Sequence, residues 1–360
     1  MATRGESLTP AGLAIGRAAG VRGRPLLLAT GGIAALAVAL VLGVGFGSVS
    51  IDPADTVAIL AQRLLGLDLG REVSTAADTI VMDLRLPRVL TAMVVGLALA
   101  VAGVTFQGLL RNPLADPYVL GTASGAALGA AVAVLIPVRI AILEFGLLHG
   151  LAFLGALLAV YAVYHLSRTS GLAPLTSLLL TGYAVGSLLA AGLAMAMYFS
   201  GAQIRQIFTY LLGSFDSASW VRLAGALPIV IFATVAILLR ARTLNGLLLG
   251  EETAANLGVN VARERGILLG LASLATAAAV AISGLIGFVG LVVPHVVRLI
   301  VGPSARLVLP LSAIGGAALM VYADLAARML GEIPVGVVTA VIGAPFFLLV
   351  LRRARAGYEL

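Results

Sequence analysis

Residues Arg85 to Gly121 read RLPRVLTAMVVGLALAVAGVTFQGLLRNPLADPYVLG, and this stretch decides the fold. Its middle, Val89–Gly108, is an uncharged apolar run rich in Gly and Ala. At a rise of about 1.5 Å per residue, a run of that length covers the roughly 30 Å hydrocarbon core of a bilayer. Both ends are polar and punctuated by proline: Arg-Leu-Pro-Arg before the run, Arg-Asn-Pro-Leu-Ala-Asp-Pro after it. The stretch predicts one membrane crossing with a different polar device at each face.

Working outward, the whole 360-residue chain has the same character. It is 61% hydrophobic and 11% charged, with a mean hydropathy of +1.10, which places it among polytopic membrane proteins. Its 43 glycines suit helices that must approach closely in lipid, where burial from water no longer drives association. There is no cysteine, which excludes disulfides, thiolate metal sites and thiol catalysis. All 23 basic residues are arginine, so the lysine that a P-loop places on nucleotide phosphates is missing. The net charge of +7 is ascribed to loops on the inner side of a membrane rather than to nucleic acid.

The apolar runs predict an all-α protein with ten transmembrane helices: Leu26–Gly47, Val89–Gly108, Tyr118–Ile136, Phe145–Leu166, Leu175–Phe199, Leu223–Leu239, Ile267–Ser283, Ile286–Val301, Leu307–Arg328 and Val335–Leu351. This membrane body, 26–353, lies between short tails, 1–25 and 354–360. The first run is longer than a signal-peptide core, so it reads as a crossing that follows a cytoplasmic N-terminus. Helical spacing of apolar residues in Ala54–Leu67 predicts a helix lying on the outer surface, and Ala202–Leu212 is a second amphipathic piece. With the N-terminus inside, most of the arginines fall on the inner face, so both termini are expected in the cytoplasm, RLPR outside and RNPLADP inside. GLALAVAGVTFQGLLRNPLADPYVLG echoes AVAISGLIGFVGLVVPHVVRLIVG, which suggests that spans two to five recur as spans seven to ten in inverted orientation.

The spans carry few ionisable residues. Gln107 sits near one end of its span, and Asp324 and Arg328, four apart, are placed to pair on one helix face. His149, His165 and His295 each stand alone, so no metal site is expected, and no nucleophile, base and orienting group assemble by motif. The energy source is therefore expected on another chain. The alternative, an ion-coupled secondary transporter, needs midplane carboxylates of the kind these spans largely lack. On the inner face, Arg242–Gly266 predicts two short helices, Asn245–Leu249 and Glu251–Leu257, broken at Gly250 and ended at Gly258.

Together RLPR, NPLADPYVLG, LGEETAANLGV, SGLIGFVGLVVPHVVRLIVG and ADLAAR…EIPVGVVTAVIGAPFF resemble the permease subunit of ABC importers for iron–siderophore complexes, haem and vitamin B12. The resemblance implies ten helices per subunit, a dimer with a pathway between two permease subunits, a separate ABC ATPase subunit and an extracytoplasmic substrate-binding protein. It implies no catalytic residue, cofactor or resident metal. By residue, it implies that Arg85, Arg88 and Arg328 dock the binding protein. It also implies that Gly250, Glu251, Glu252, Ala255 and Gly258 couple to the ATPase, with both glutamates facing the partner. Asn112, Leu114, Thr176 and Ser177 are implied at a cytoplasmic gate. A ferric siderophore is the first substrate expected, then haem, then cobalamin.

Overall fold

The computed structural model describes residues 24–47, 49–136, 146–168 and 174–356, and every regular element among them is helical. The N-terminal tail up to residue 23 and residues 357–360 of the other tail lie outside them. In chain order the helices are α1 (Arg24–Gly45), α2 (Pro53–Leu65), α3 (Thr75–Thr79), α4 (Leu86–Leu109), α5 (Thr122–Leu135), α6 (Leu147–Leu166), α7 (Leu175–Phe199) and α8 (Ile204–Leu212). They continue as α9 (Trp220–Leu239), α10 (Ala241–Leu248), α11 (Glu251–Asn256), α12 (Val261–Ser283), α13 (Val289–Val301), α14 (Ala305–Met329) and α15 (Val335–Ala356). Eight are long and apolar enough to cross a membrane: α1, the continuous Thr75–Leu109 unit, α6, α7, α9, α12, α14 and α15. The apolar helices α5 and α13 are shorter. These ten stand where ten spans were predicted.

Helices α4, α12 and α14 form the centre, and α1, α7 and α15 leave most of their apolar side chains on the outside. The contact between α4 and α14 depends on Gly96 and Gly316, because a Cβ on either would fall on the other's backbone carbonyl. Such contacts replace burial from water as the source of packing in lipid. The predicted inverted repeat is visible in how helices meet. α4 packs on α14 as α12 packs on α6, and α5 packs on α6 as α13 packs on α14. Likewise α5 meets α7 as α13 meets α15, while α4 meets α13 as α12 meets α5.

One expectation needs revision. The predicted spans Tyr118–Ile136 and Ile286–Val301 do not run through as full crossings. α5 has 14 residues and α13 has 13, about 20 Å each. Gly290, at the start of α13, lies against Gly103, Gln107 and the carbonyl of Leu99, in the middle and last turns of α4. Pro117 lies on the same Gly290, and Gly121 lies against Gly182 and Gly186, about a third of the way along α7. Residues 110–121 therefore turn at the Arg111 face and climb back into the bundle before α5 starts. Residues 284–288 descend into it from the opposite, Arg85 face before α13 starts. Non-helical backbone at such depth is tolerated only where protein or a cavity satisfies it.

Candidate functional site

At the Arg85 face the RLPR motif follows a π-helical turn, Ile80–Arg85. Pro87 has no N–H to bond Asp83 and its ring excludes that carbonyl, so the turn before it widens and the Leu86 N–H bonds the Val81 carbonyl instead. The three predicted docking arginines converge here, but two of them are buried. Arg85, 5% exposed, donates to the carbonyls of Val44, Gly45 and Val49. Arg328, 8% exposed, donates to those of Gly43 and Phe46 at 2.9 and 2.8 Å. Both guanidinium groups satisfy carbonyls that the C-terminal end of α1 leaves without helical partners, where the helix dipole also favours a cation.

Arg88 is the most open of the three. It binds Asp324 through Nε and Nη2, at 2.8–3.1 Å, and Asp216 through Nη1 at 2.9 Å. The predicted Asp324–Arg328 pair forms at 3.1 Å, so the fully buried Asp324 carboxylate is held between two guanidinium groups. Beside Asp216 lies a cavity of ≈ 750 Å³ between α5, α6, α8 and α12, lined by Gln206, Thr209, Tyr210, Ser217 and Arg222 among others. A second, apolar cleft of ≈ 610 Å³ opens between α8, Leu285 and α15.

At the Arg111 face the predicted pair of short helices is present as α10 and α11, with Gly250 and Gly258 both at positive φ. Glu252, Ala255 and Gly258 are exposed, as are Leu249 at 68% and Leu257 at 67%. Glu251 instead forms an ion pair with Arg265 at the start of α12, so one of the two glutamates expected to face a partner is engaged within the chain. The two leucines were missed because their pattern in LLLGEETAANL is not separable by hydropathy from a buried face.

Asn112 and Leu114 lie in the turn after α4, and Thr176 and Ser177 open α7 at the same face. Ser177 Oγ donates to the Ser167 carbonyl, and Asn112 and Thr176 are exposed. Asn-Pro-Leu and Asp-Pro-Tyr each fold as an Asx turn, in which Asn112 Oδ1 accepts from the Leu114 N–H and Asp116 Oδ1 from the Tyr118 N–H. The first turn is tied to α10, since Arg111 Nε donates to the Leu247 carbonyl at 3.0 Å. The second carries Tyr118 into the bundle, where its hydroxyl donates to the Ile286 carbonyl at 2.9 Å and accepts from the Ile286 N–H at 3.1 Å. The sequence places the whole RNPLADP motif at the inner mouth; in the structure its last residue, Pro117, lies on Gly290 inside the bundle. The Asx-Pro repeat marked the turns, but nothing in it reported depth. Among the described residues no group of three or more His, Asp or Glu side chains could hold a metal ion.

Comparison with known proteins gives a consistent result. A family model described as the FecCD transport family matches residues 35–353. The cobalamin import system permease protein BtuC of Halobacterium salinarum is 44% identical over 301 residues, 83% of this chain and 79% of that one. The hemin transport system permease protein HmuU of Yersinia pestis is 44% identical over 279 residues, 76% of this chain and 83% of that one. A solved structure described as an inward-facing, metal-chelate type ABC transporter superposes with a TM-score of 0.79 at 31% identity, covering 91% of this chain and 99% of that one.

Proposed function

The chain belongs to the FecCD transport family, and we propose that within it this permease passes a bulky metal chelate across the cytoplasmic membrane. An ABC ATPase subunit at the Arg111 face supplies the energy, and an extracytoplasmic binding protein delivers substrate at the Arg85 face. Both termini are then cytoplasmic, and a second permease subunit completes the pathway along the exposed faces of α7 and α15. The observation that carries this reading is the α10–α11 pair, in which α10 packs on α4 and α14 while Leu249, Glu252 and Leu257 stay uncovered. Exposed apolar side chains rimmed by polar ones on a short helix pair at one face suit a soluble partner that grips and pushes. The relatives named for cobalamin and hemin favour a tetrapyrrole chelate over the siderophore expected first.

Reconstitution in liposomes with the ATPase and binding protein tests this. ATP hydrolysis is expected to rise with a binding protein loaded with cobalamin or haem. Leu249→Asp with Leu257→Asp is expected to abolish ATPase association while leaving the permease folded. Association that survives both substitutions returns α10 and α11 to ordinary loop helices. Uptake that collapses with an ion gradient and ignores vanadate favours the secondary-transport alternative.

Arg88 is the docking arginine with a guanidinium edge near the surface, and Asp216, with a 54% exposed side chain, occupies that edge. Exposed ion pairs of this kind contribute about 0–1 kcal/mol, so Asp216→Ala is expected to leave stability nearly unchanged. It frees Arg88 Nη1 for a partner carboxylate, and affinity for the binding protein is expected to rise about threefold, read by surface binding at low salt. A fall in affinity, or none, counts against Arg88 as a docking residue.

A further inference from the structure

Two non-helical segments enter this bundle from opposite faces and meet inside it. The segment from the Arg111 face begins at Arg111, tied to the α10 backbone through the Leu247 carbonyl. Two consecutive Asx turns then stiffen it as far as Tyr118. The segment from the Arg85 face is strapped to its surroundings at Ser283, whose carbonyl accepts from the Ser214 N–H at 2.8 Å, and at Leu285, whose N–H donates to the Tyr210 carbonyl at 3.3 Å. It ends at Phe288, which holds a left-handed φ of 70° at the start of α13 and packs against Gly343 of α15. Between the segments stands Tyr118, whose one hydroxyl satisfies both the N–H and the carbonyl of Ile286.

Ile286 neighbours Leu285, which forms part of the wall of the apolar cleft between α8 and α15. A shift of Ile286 therefore reshapes that cleft. Arg111, the two Asx turns and the Tyr118 hydroxyl form a hydrogen-bonded path from α10 to Ile286. We propose that Tyr118 is a positioning residue that joins the two segments into one mechanical unit, so that displacement of the α10–α11 pair reshapes the cleft at the opposite face. This rests on the importer reading for its source of motion, but the linkage is a property of the chain itself. The phenol suits the role: it reaches across a gap between backbones, and its one oxygen both donates and accepts. A helix–helix contact would slide, whereas hydrogen bonds to the N–H and the carbonyl on either side of one Cα hold that residue at two adjacent peptide planes and transmit displacement in a fixed direction.

The test has a functional arm and a structural arm. In proteoliposomes holding the permease, its ATPase and the binding protein, Tyr118→Phe keeps the ring and loses both hydrogen bonds. Assembly and basal ATP hydrolysis are expected within about twofold of the unmodified complex, while stimulation by the loaded binding protein falls about tenfold, within the usual range of coupling between sites. Arg111→Gln is expected to give the same loss, and the double substitution no more than either alone. Independent losses that multiply overturn the shared path, as does full stimulation in Tyr118→Phe.

The structural arm needs no transport. Hydrogen exchange of the Leu285 and Ile286 amides is followed in the detergent-solubilised permease. Tyr118→Phe removes the acceptor of the Ile286 amide and is expected to speed its exchange about tenfold, the effect of one lost hydrogen bond. Arg111→Gln, at the other end of the unit, is expected to speed the same amides. Exchange unchanged by Arg111→Gln overturns the linkage even if transport is confirmed. Linked exchange in a complex that no binding protein stimulates overturns the importer reading and leaves the linkage standing.

Discussion

Replacing Asp324 with alanine is expected to cost about 3–5 kcal/mol of stability, the usual penalty for removing one member of a buried ion pair. Asp324 is 0% exposed; its carboxylate accepts from Arg88 and is ion-paired with Arg328. Its removal leaves two guanidinium groups facing each other without the buried carboxylate between them, with only Asp216 left to Arg88. Arg328 cannot swing away without abandoning the carbonyls of Gly43 and Phe46, so the loss also loosens the end of α1. Asp324→Asn separates charge from volume. It keeps the shape but turns an amide N–H₂ toward donors, so it is expected to cost nearly as much as alanine. Thermal unfolding of the purified permease in detergent reads both. An asparagine variant as stable as the parent shows that packing, and not the charge triad, holds this corner.

That triad also marks how far the chain could be read in one dimension. Asp324 and Arg328 are one helical turn apart, so their pairing follows from spacing alone. Arg88 lies 236 positions from Asp324, and no local pattern announces that the arginines of RLPR are engaged within the chain, Arg85 by the end of α1 and Arg88 by Asp324. The apolar runs were readable because a hydrocarbon-spanning helix needs uninterrupted apolar residues. The depth at which α5 and α13 begin was not, because hydropathy reports composition and not height. Residues 284–288 are apolar or small, the polar residues of 110–117 mark turns and not height, and contacts of Tyr118, Gln107 and the close glycines place both helix starts. Glu251 shows the same limit: its exposure in a short polar helix was readable, and its engagement by Arg265 was not.

The depth of α13 is itself open to test through Gly103. A Cβ at Gly103 would fall on the backbone carbonyl of Gly290, where no side chain can rotate aside. Either α13 moves away from α4 or the two helices part. Overpacking of a fitted interior costs about 1–3 kcal/mol, and more where backbone must yield, so Gly103→Val is expected at or beyond the top of that range. Gly31 and Gly270 are helical glycines where an added Cβ meets nothing within 4 Å. Alanine at either is expected to be neutral or slightly stabilising, since it lowers the freedom of the unfolded chain without a clash. The contrast removes helix propensity as an explanation. Gly103→Ala, the milder change, bears on function. If it moves Gly290 and with it the 284–288 segment, the Ile286 amide loses its place on the Tyr118 hydroxyl and exchanges faster. A Gly103→Ala variant with unchanged melting temperature and unchanged exchange at Ile286 would mean that α13 does not start against the middle of α4, and the meeting of the two segments would fall with it.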